Sequence, residues 1–359
     1  MNFQHFMYAQ DPRVQFAFWL GLVVVVTSMV LLLAILLMRY LAERRERRHQ
    51  VAADFWRRVL AEAAQAVPAR VPPLPRGDMT GFVDAWNDLH GTADAAGQAG
   101  MRKLAEPLGL DRKLALLLER GSFHDRVMAI IAMGHLRSPA HFDVLAGMIN
   151  DRSPIVSINA ARALMRIDPP RAVRMVVPQI VARQDWVEGG IAQMLNEAGS
   201  DVVSRELGGA ALRVNDEVAP RLVRFLAGVS PEAASPVIRQ ILGEPHDEHL
   251  VSTCLQVMTD PADVDRVRPL LAHPRWHVRM HAAAAIGRMG KAADAQALLP
   301  LLADPQWWVR YRTAQAVRAL YEGDAELLEH VRSRQEDRYA RDILTQVIAE
   351  KELGELGEA

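Results

Sequence analysis

Three histidines at four-residue intervals, His273, His277 and His281, are the residues of this sequence whose types and spacing come closest to chemistry. On an α-helix that interval puts side chains on one face, where imidazoles can share a zinc-like ion, with His246 and His249 upstream as further ligands. Two features argue against a metal. Neither His277 nor His281 is followed by the carboxylate of a zinc-hydrolase helix, and His273 stands where Asp304 stands 31 positions later, at a helix-capping place. The three are therefore weak metal candidates. No glycine-rich phosphate loop and no nucleophile elbow occurs. The single cysteine, Cys254, lies on an apolar stripe with Val251 and Leu255 and reads as a small buried hydrophobe. The residues assign no catalytic group and no cofactor, so the function expected is one of binding.

The residues that suit binding are aromatic and cationic. Phe123, Trp276 and Trp307 each stand three positions before an arginine, and Trp308 and Trp186 lie beside that place. Repeated on equivalent helix starts, these rings would line one edge beside Arg279, Arg310 and Arg312, and tryptophan with arginine is what interface centres favour. The competing role is a staple packing each helix start onto its neighbour. Packing is the better account of Trp276 and Trp307 taken alone, and Trp308 is the expected exposed member of its pair. Trp276, Trp307, Trp308, Arg279, Arg310 and Arg312 are the candidate partner-binding residues.

A repeat must position them. Counted back from Arg310, leucine-leucine-x-Asp/His-Pro, then Val-Arg, then small residues four and six further on recurs about every 31 residues. The two clearest copies run from Leu270-Leu271 through Val278-Arg279 to Ala283, Ala285 and Met289, and from Leu301-Leu302 through Val309-Arg310 to Ala314, Ala316 and Leu320. Earlier copies are Leu117-Leu118 with Arg126, Ile130, Ala132 and Leu136, and Met148-Ile149 with Val156-Ser157, Ala161, Ala163 and Ile167. Then come Ile180 with Val187-Glu188, Ala192 and Met194, Ala211-Leu212 with Val218-Ala219, Val223 and Phe225, and an out-of-register copy at Ile241-Leu242 with Leu250 and Cys254. Asp304-Pro305 and Asp151 are expected to begin helices as side-chain caps. The apolar positions at spacings of three, four and seven form a stripe that no single hairpin can bury, so about seven stacked hairpins make one core. Glu326 to Leu353, rich in Arg, Glu and Asp, is expected to cap the stack.

At these residues the chain resembles the HEAT-repeat family, in particular the short bacterial variety that includes the phycobilisome-lyase-like repeats. The resemblance implies an all-α, right-handed α-solenoid, and a scaffold or adaptor more often than an enzyme. It also implies an aspartate-arginine ladder between repeats, for which Asp304 and Arg310 match while His273 with Arg279, Asp151 with Ser157 and Arg120 with Arg126 depart. A lyase-like or metal-dependent enzyme is the alternative. The related deoxyhypusine hydroxylases use His-Glu dipeptides as iron ligands, and this sequence has none.

A second feature precedes the repeats. No charged residue occurs between Arg13 and Arg39, an apolar run long enough to cross a bilayer as one tilted helix. It lacks the basic start and small-residue cleavage pattern of a signal peptide. Arg39, Arg44, Arg45, Arg47 and Arg48 follow it, against Arg13 alone before it, and by the positive-inside rule the following side is cytoplasmic. The expected order is an extracytoplasmic tail over 1–13, a transmembrane helix over 14–38, and a basic juxtamembrane stalk over 39–67 with its apolar stripe at Val51, Phe55, Val59 and Ala63. A Pro-rich linker over 68–79, a helical cap over 80–111 interrupted by a flexible break from Gly91 to Gly100, HEAT-like repeats over 112–325 and capping helices over 326–359 complete it. The expected location is a bacterial inner membrane, single-pass, N-terminus outside, with a protein partner there and lipid along 14–38. Polysaccharide synthesis or signalling machinery of the envelope is the setting this suggests. With 42 Lys and Arg against 43 Asp and Glu, the charge balance argues against nucleic acid, and one cysteine suits a reducing compartment.

Overall fold

The computed structural model describes residues 12–66, 68 and 70–357, so residues 1–11 of the expected N-terminal tail, Val67, Ala69 and the last two residues lie outside it. Among the described residues all regular structure is helical. Two compact units divide at Leu136 and Arg137.

The first unit is organised by α1, Pro12–Gln65, a single helix of 54 residues, about 80 Å long at about 1.5 Å per residue. From Trp19 to Met38 its large apolar side chains are exposed around the whole circumference, and the helix is long and apolar enough to cross a membrane. From Ala52 onward the same helix enters a core made with α2, Met79–Thr92, and α3, Ala95–Arg102. Trp56, Leu60 and Ala63 are buried there, with Trp56 edge-on to Phe82 at 5.1 Å. Of the expected stripe Ala63 is buried and Val59 half-buried, whereas Val51 and Phe55 face outward and Ala52, Ala53, Trp56 and Leu60 are buried instead. Close approach decides the face: Ala52 and Ala53 let α2 come near enough that a Cβ on Gly81 would lie 2.8 Å from the Ala53 nitrogen and the His49 carbonyl. His49 fastens the same seam, its Nε2 2.8 Å from the Asp84 carboxylate and its Nδ1 3.2 Å from the Thr80 hydroxyl.

The segment from Gly91 to Gly100 is not a flexible break. Asp94 caps α3 by accepting the Gly97 amide at 2.8 Å, and Gly100 permits contact with the α1 backbone at Ala63. The Pro-rich stretch is likewise tied down at Leu74, which is buried and whose carbonyl accepts Lys113 Nζ at 3.0 Å. α4, Ala105–Leu108, α5, Leu110–Arg120, and α6, Phe123–Leu136, complete this unit.

The second unit is a stack of hairpins: α7 Phe142–Met148, α8 Pro154–Ile167, α9 Pro169–Ala182, α10 Glu188–Ala198, α11 Ser200–Ala211, α12 Ala219–Val229, α13 Pro231–Leu242 and α14 Glu248–Val257. It continues through α15 Val264–Val267, α16 Trp276–Met289, α17 Ala295–Leu298, α18 Trp307–Leu320, α19 Ala325–Ser333 and α20 Arg338–Gly357. The core lies between adjacent hairpins. α16 buries Val278, Ala282, Ala283, Ala285, Ile286 and Met289, and α18 buries their counterparts Val309, Thr313, Ala314, Ala316, Val317 and Leu320. Small residues bring these helices together, so that a Cβ on Gly287 would lie 2.7 Å from the Ala316 Cα. Just before α10 the copy differs from expectation: Val187 is exposed and Trp186 is buried in its stead, while α10 itself buries Ile191, Met194 and Leu195.

Asp304 and Asp151 do not cap their helices. Each closes the turn before one, Asp304 accepting the Gln306 amide at 2.8 Å and Asp151 the Ser153 amide at 2.8 Å. His273 does the same for Arg275 through Nδ1 at 3.2 Å. Side-chain caps occur instead at Asp168, Ser230, Asp247 and Asp324.

Candidate binding edge

The lattice arginines connect these turns. Arg279 Nη1 donates to the carbonyls of His273 and Pro274 at 2.8 and 3.0 Å, and Arg310 Nη1 to those of Asp304 and Pro305 at 2.8 and 3.2 Å. Arg341 repeats the pattern on Gln335 and Glu336 at 2.8 and 2.9 Å. The segment expected only to cap the stack therefore carries a further copy of the repeat, and its core closes on Leu302 and Ala314 through Val331, Ala340, Ile343, Leu344 and Val347.

One rung of the ladder is present, and it joins neighbouring repeats as the resemblance implies. Arg279 Nε and Nη2 grip the Asp304 carboxylate at 2.7 and 3.0 Å. Where Ser157 replaces the arginine, Arg183 reaches back from the next hairpin to the Asp151 carbonyl at 2.8 Å and the Ser157 hydroxyl at 2.7 Å. A second series runs through Arg239 on Asp263 at 2.6 Å and Arg268 on Asp294.

The aromatic candidates lie beside this ladder. Trp276 and Trp307 are the first residues of α16 and α18, with 38 % and 40 % of their surface open, and Trp308 is 53 % open. Trp307 stacks on Tyr311 at 4.9 Å and 9° and meets Trp308 edge-on at 4.7 Å. Trp307 thus both packs and presents a face. Trp276 meets His277 edge-on at 5.6 Å. Sequence reasoning missed Tyr311 and Tyr339. Tyr339 stands one repeat interval after Trp308, is 63 % open, and lies 5.2 Å from the Arg310 guanidinium; continuing the 31-residue interval past Leu320 would have found it. Trp186 is not part of this edge, being buried. Arg312 is exposed and donates to Gln315 at 3.0 Å.

The edge can bind by stacking, by cation–π contact and by holding anions. Burial and the Glu350 hydrogen bond push the Tyr311 phenol up, so it stays a neutral donor. The histidines do not gather. His246 pairs with Asp216 at 2.9 Å, His277 lies 3.7 Å from Glu248, His281 meets Gln256 at 2.9 Å, and among the described residues no three His, Cys, Asp or Glu side chains are grouped to hold a metal ion. Burial lowers His281 first, with further lowering from His277, Arg312 and Arg288. Cys254 is buried, and that burial pushes its thiol up to about 12, far from a nucleophile's range. In the first unit Arg39, Arg44, Arg45, Arg47 and Arg48 are all exposed on α1, Arg39 paired with Glu43 at 2.9 Å.

The model of the HEAT repeats matches residues 111–196 and 236–318. Among solved structures, the complex of CpcE and CpcF of phycocyanin lyase from Nostoc sp. is similar at 17 % identity over 67 % of this chain and 93 % of that one, with a TM-score of 0.29. Human deoxyhypusine hydroxylase is similar at 16 % identity over 77 % and 98 %, TM-score 0.30, and an engineered protein at 17 % over 74 % and 97 %, TM-score 0.23. No curated protein matches by sequence. Residues 111–196 and 236–318 of this chain are HEAT repeats.

Proposed function

We propose that this chain is a membrane-anchored scaffold. The apolar part of α1 crosses a bacterial inner membrane with the N-terminus outside, and the arginines from Arg39 to Arg48 sit against the cytoplasmic headgroups. The repeats then hold a protein partner in the cytoplasm, and the anchor raises its effective concentration at the bilayer. An accessory role in envelope polysaccharide synthesis or signalling fits such a device.

One observation carries the reading. Trp307 and Trp308 leave 40 % and 53 % of their surfaces open in contact with each other, beside Arg310 and Tyr339. Exposed tryptophan beside arginine is the composition of binding hot spots, and a repeat stack has no need to leave such rings in water for its own stability.

The test is crosslinking in the native membrane followed by purification of the full-length chain. A stoichiometric protein partner that disappears with Trp307→Ala and Trp308→Ala supports the scaffold. A bound metal or pigment with no protein partner sinks it in favour of a lyase-like or metal-dependent enzyme.

A further inference from the structure

The rung between Arg279 and Asp304 is a template that the next repeat leaves incomplete. Arg310 repeats both carbonyl contacts of Arg279 through Nη1. Arg279 then places Nε and Nη2 on the Asp304 carboxylate at 2.7 and 3.0 Å. One interval after Asp304 stands Gln335, an amide, whose side chain donates to the Val331 carbonyl at 3.2 Å. Among the described residues no carboxylate meets Arg310 Nε or Nη2, and the pattern resumes at Arg341 on the Gln335 and Glu336 carbonyls. The repeat is therefore intact and only the anion of the rung is lacking. Arg310 is held in place from behind by two carbonyls and at its side by the Tyr339 ring at 5.2 Å, so its free fork is already ordered.

We propose that Arg310 takes this anion from the partner: an Asp or Glu side chain of a docked protein segment occupies the place Asp304 occupies on Arg279. An apolar neighbour of that carboxylate packs on Trp307 and Trp308. This rests on the reading of the aromatic edge as a docking surface. The rung already present selects a carboxylate, because the same fork one repeat earlier grips one in bidentate geometry. Exposed Arg312 adds positive charge to the edge, and the nearby Glu350 is engaged with Tyr311 at 3.0 Å and Gln346 at 3.0 Å. The occupant is thus an acidic peptide segment.

The experiment uses the full-length chain in detergent and labelled short peptides, each with one Asp near a Trp or Leu, paired with a twin in which Asn replaces Asp. Fluorescence anisotropy should give the Asp peptide about tenfold tighter binding or more, the worth of a charged hydrogen-bonded pair. Gln335→Asp supplies the rung from within, so discrimination between twins falls to none while Tm rises by about 2–4 °C. Arg310→Lys keeps the charge and loses the fork, and discrimination falls with it. Equal binding of the twins to the wild type, or undiminished discrimination in Gln335→Asp, overturns the proposal. If equal twins are both lost in the Trp307→Ala, Trp308→Ala chain, the docking edge stands without the missing rung. If neither twin binds and the crosslinked partner is indifferent to the tryptophans, both readings fall.

Discussion

Arg279 and Asp304, 25 residues apart on successive repeats, form a two-pronged pair at 2.7 and 3.0 Å whose carboxylate also closes the turn at Gln306. Both side chains are largely buried, at 16 % and 7 % open. Removing one partner leaves the other charge unpaired away from water, so Asp304→Ala should cost about 3 kcal/mol, seen as a Tm lower by about 6–12 °C. Arg279→Ala should cost a similar amount, and the double variant less than the sum. Single variants that melt with the wild type would show that the rung has no structural weight.

Trp308 should behave in the opposite way. Its ring is the more open of the adjacent pair, and its neighbours are Trp307 and Tyr311, which stack on each other without it. Trp308→Ala should leave stability within about 0.5 kcal/mol while weakening capture of the crosslinked partner. Unfolding by this change, with capture lost only in proportion to unfolded chain, would make the residue a packing element.

The repeat could be read in the sequence because burial at Val278, Ala283, Ala285 and Met289 recurs at Val309, Ala314, Ala316 and Leu320, and side-chain type follows burial. The copy at Arg341 was harder to see, because Arg332, Ser333 and Gln335 stand where the leucine pair and the Asp or His should be, and only the 31-residue interval marks it. A ladder between repeats was legible from the resemblance, and the structure adds its partner: an arginine reaches across the stack, so Asp304 pairs with Arg279 and not with its sequence neighbour Arg310. On α1 two apolar faces compete, one through Val51 and Phe55 and one through Ala52 and Trp56. Periodicity alone cannot choose between them, whereas the close approach of Gly81 does. The exposed tryptophans of α16 and α18 were legible as a set, and Trp186 was misjudged because it sits in the turn before α10, where the chain folds inward.

His281 supplies a pH dependence of defined sign. Burial first, and then His277, Arg312 and Arg288, hold its folded value below the ordinary 6.5. Below that pH the unfolded chain binds more protons than the folded one, so the contribution is full above about 6.5 and is lost as pH falls toward the depressed folded value. Tm of the wild type should drop between pH 7.5 and 5.5. His281→Gln, which retains a polar partner for Gln256, should drop less, and an unchanged slope would remove His281 as the cause.

Gly100 and Gly91 make a paired test of how firmly α1 is fixed to its unit. Alanine normally stabilises a helix over glycine by about 0.5–1 kcal/mol, and at Gly91, where an added Cβ meets nothing within 4 Å, Gly91→Ala should give that gain. At Gly100 the added Cβ would lie 2.3 Å from the Ala63 carbonyl oxygen and 3.4 Å from the Ala64 Cα, both backbone atoms of α1. Neither can rotate aside, so α3 must retreat from α1 at a cost of about 1–3 kcal/mol. The two glycine changes, made in full-length chain and followed by thermal melting in detergent, should therefore shift Tm in opposite directions. The same sign at both would mean that α3 does not seat against Ala63.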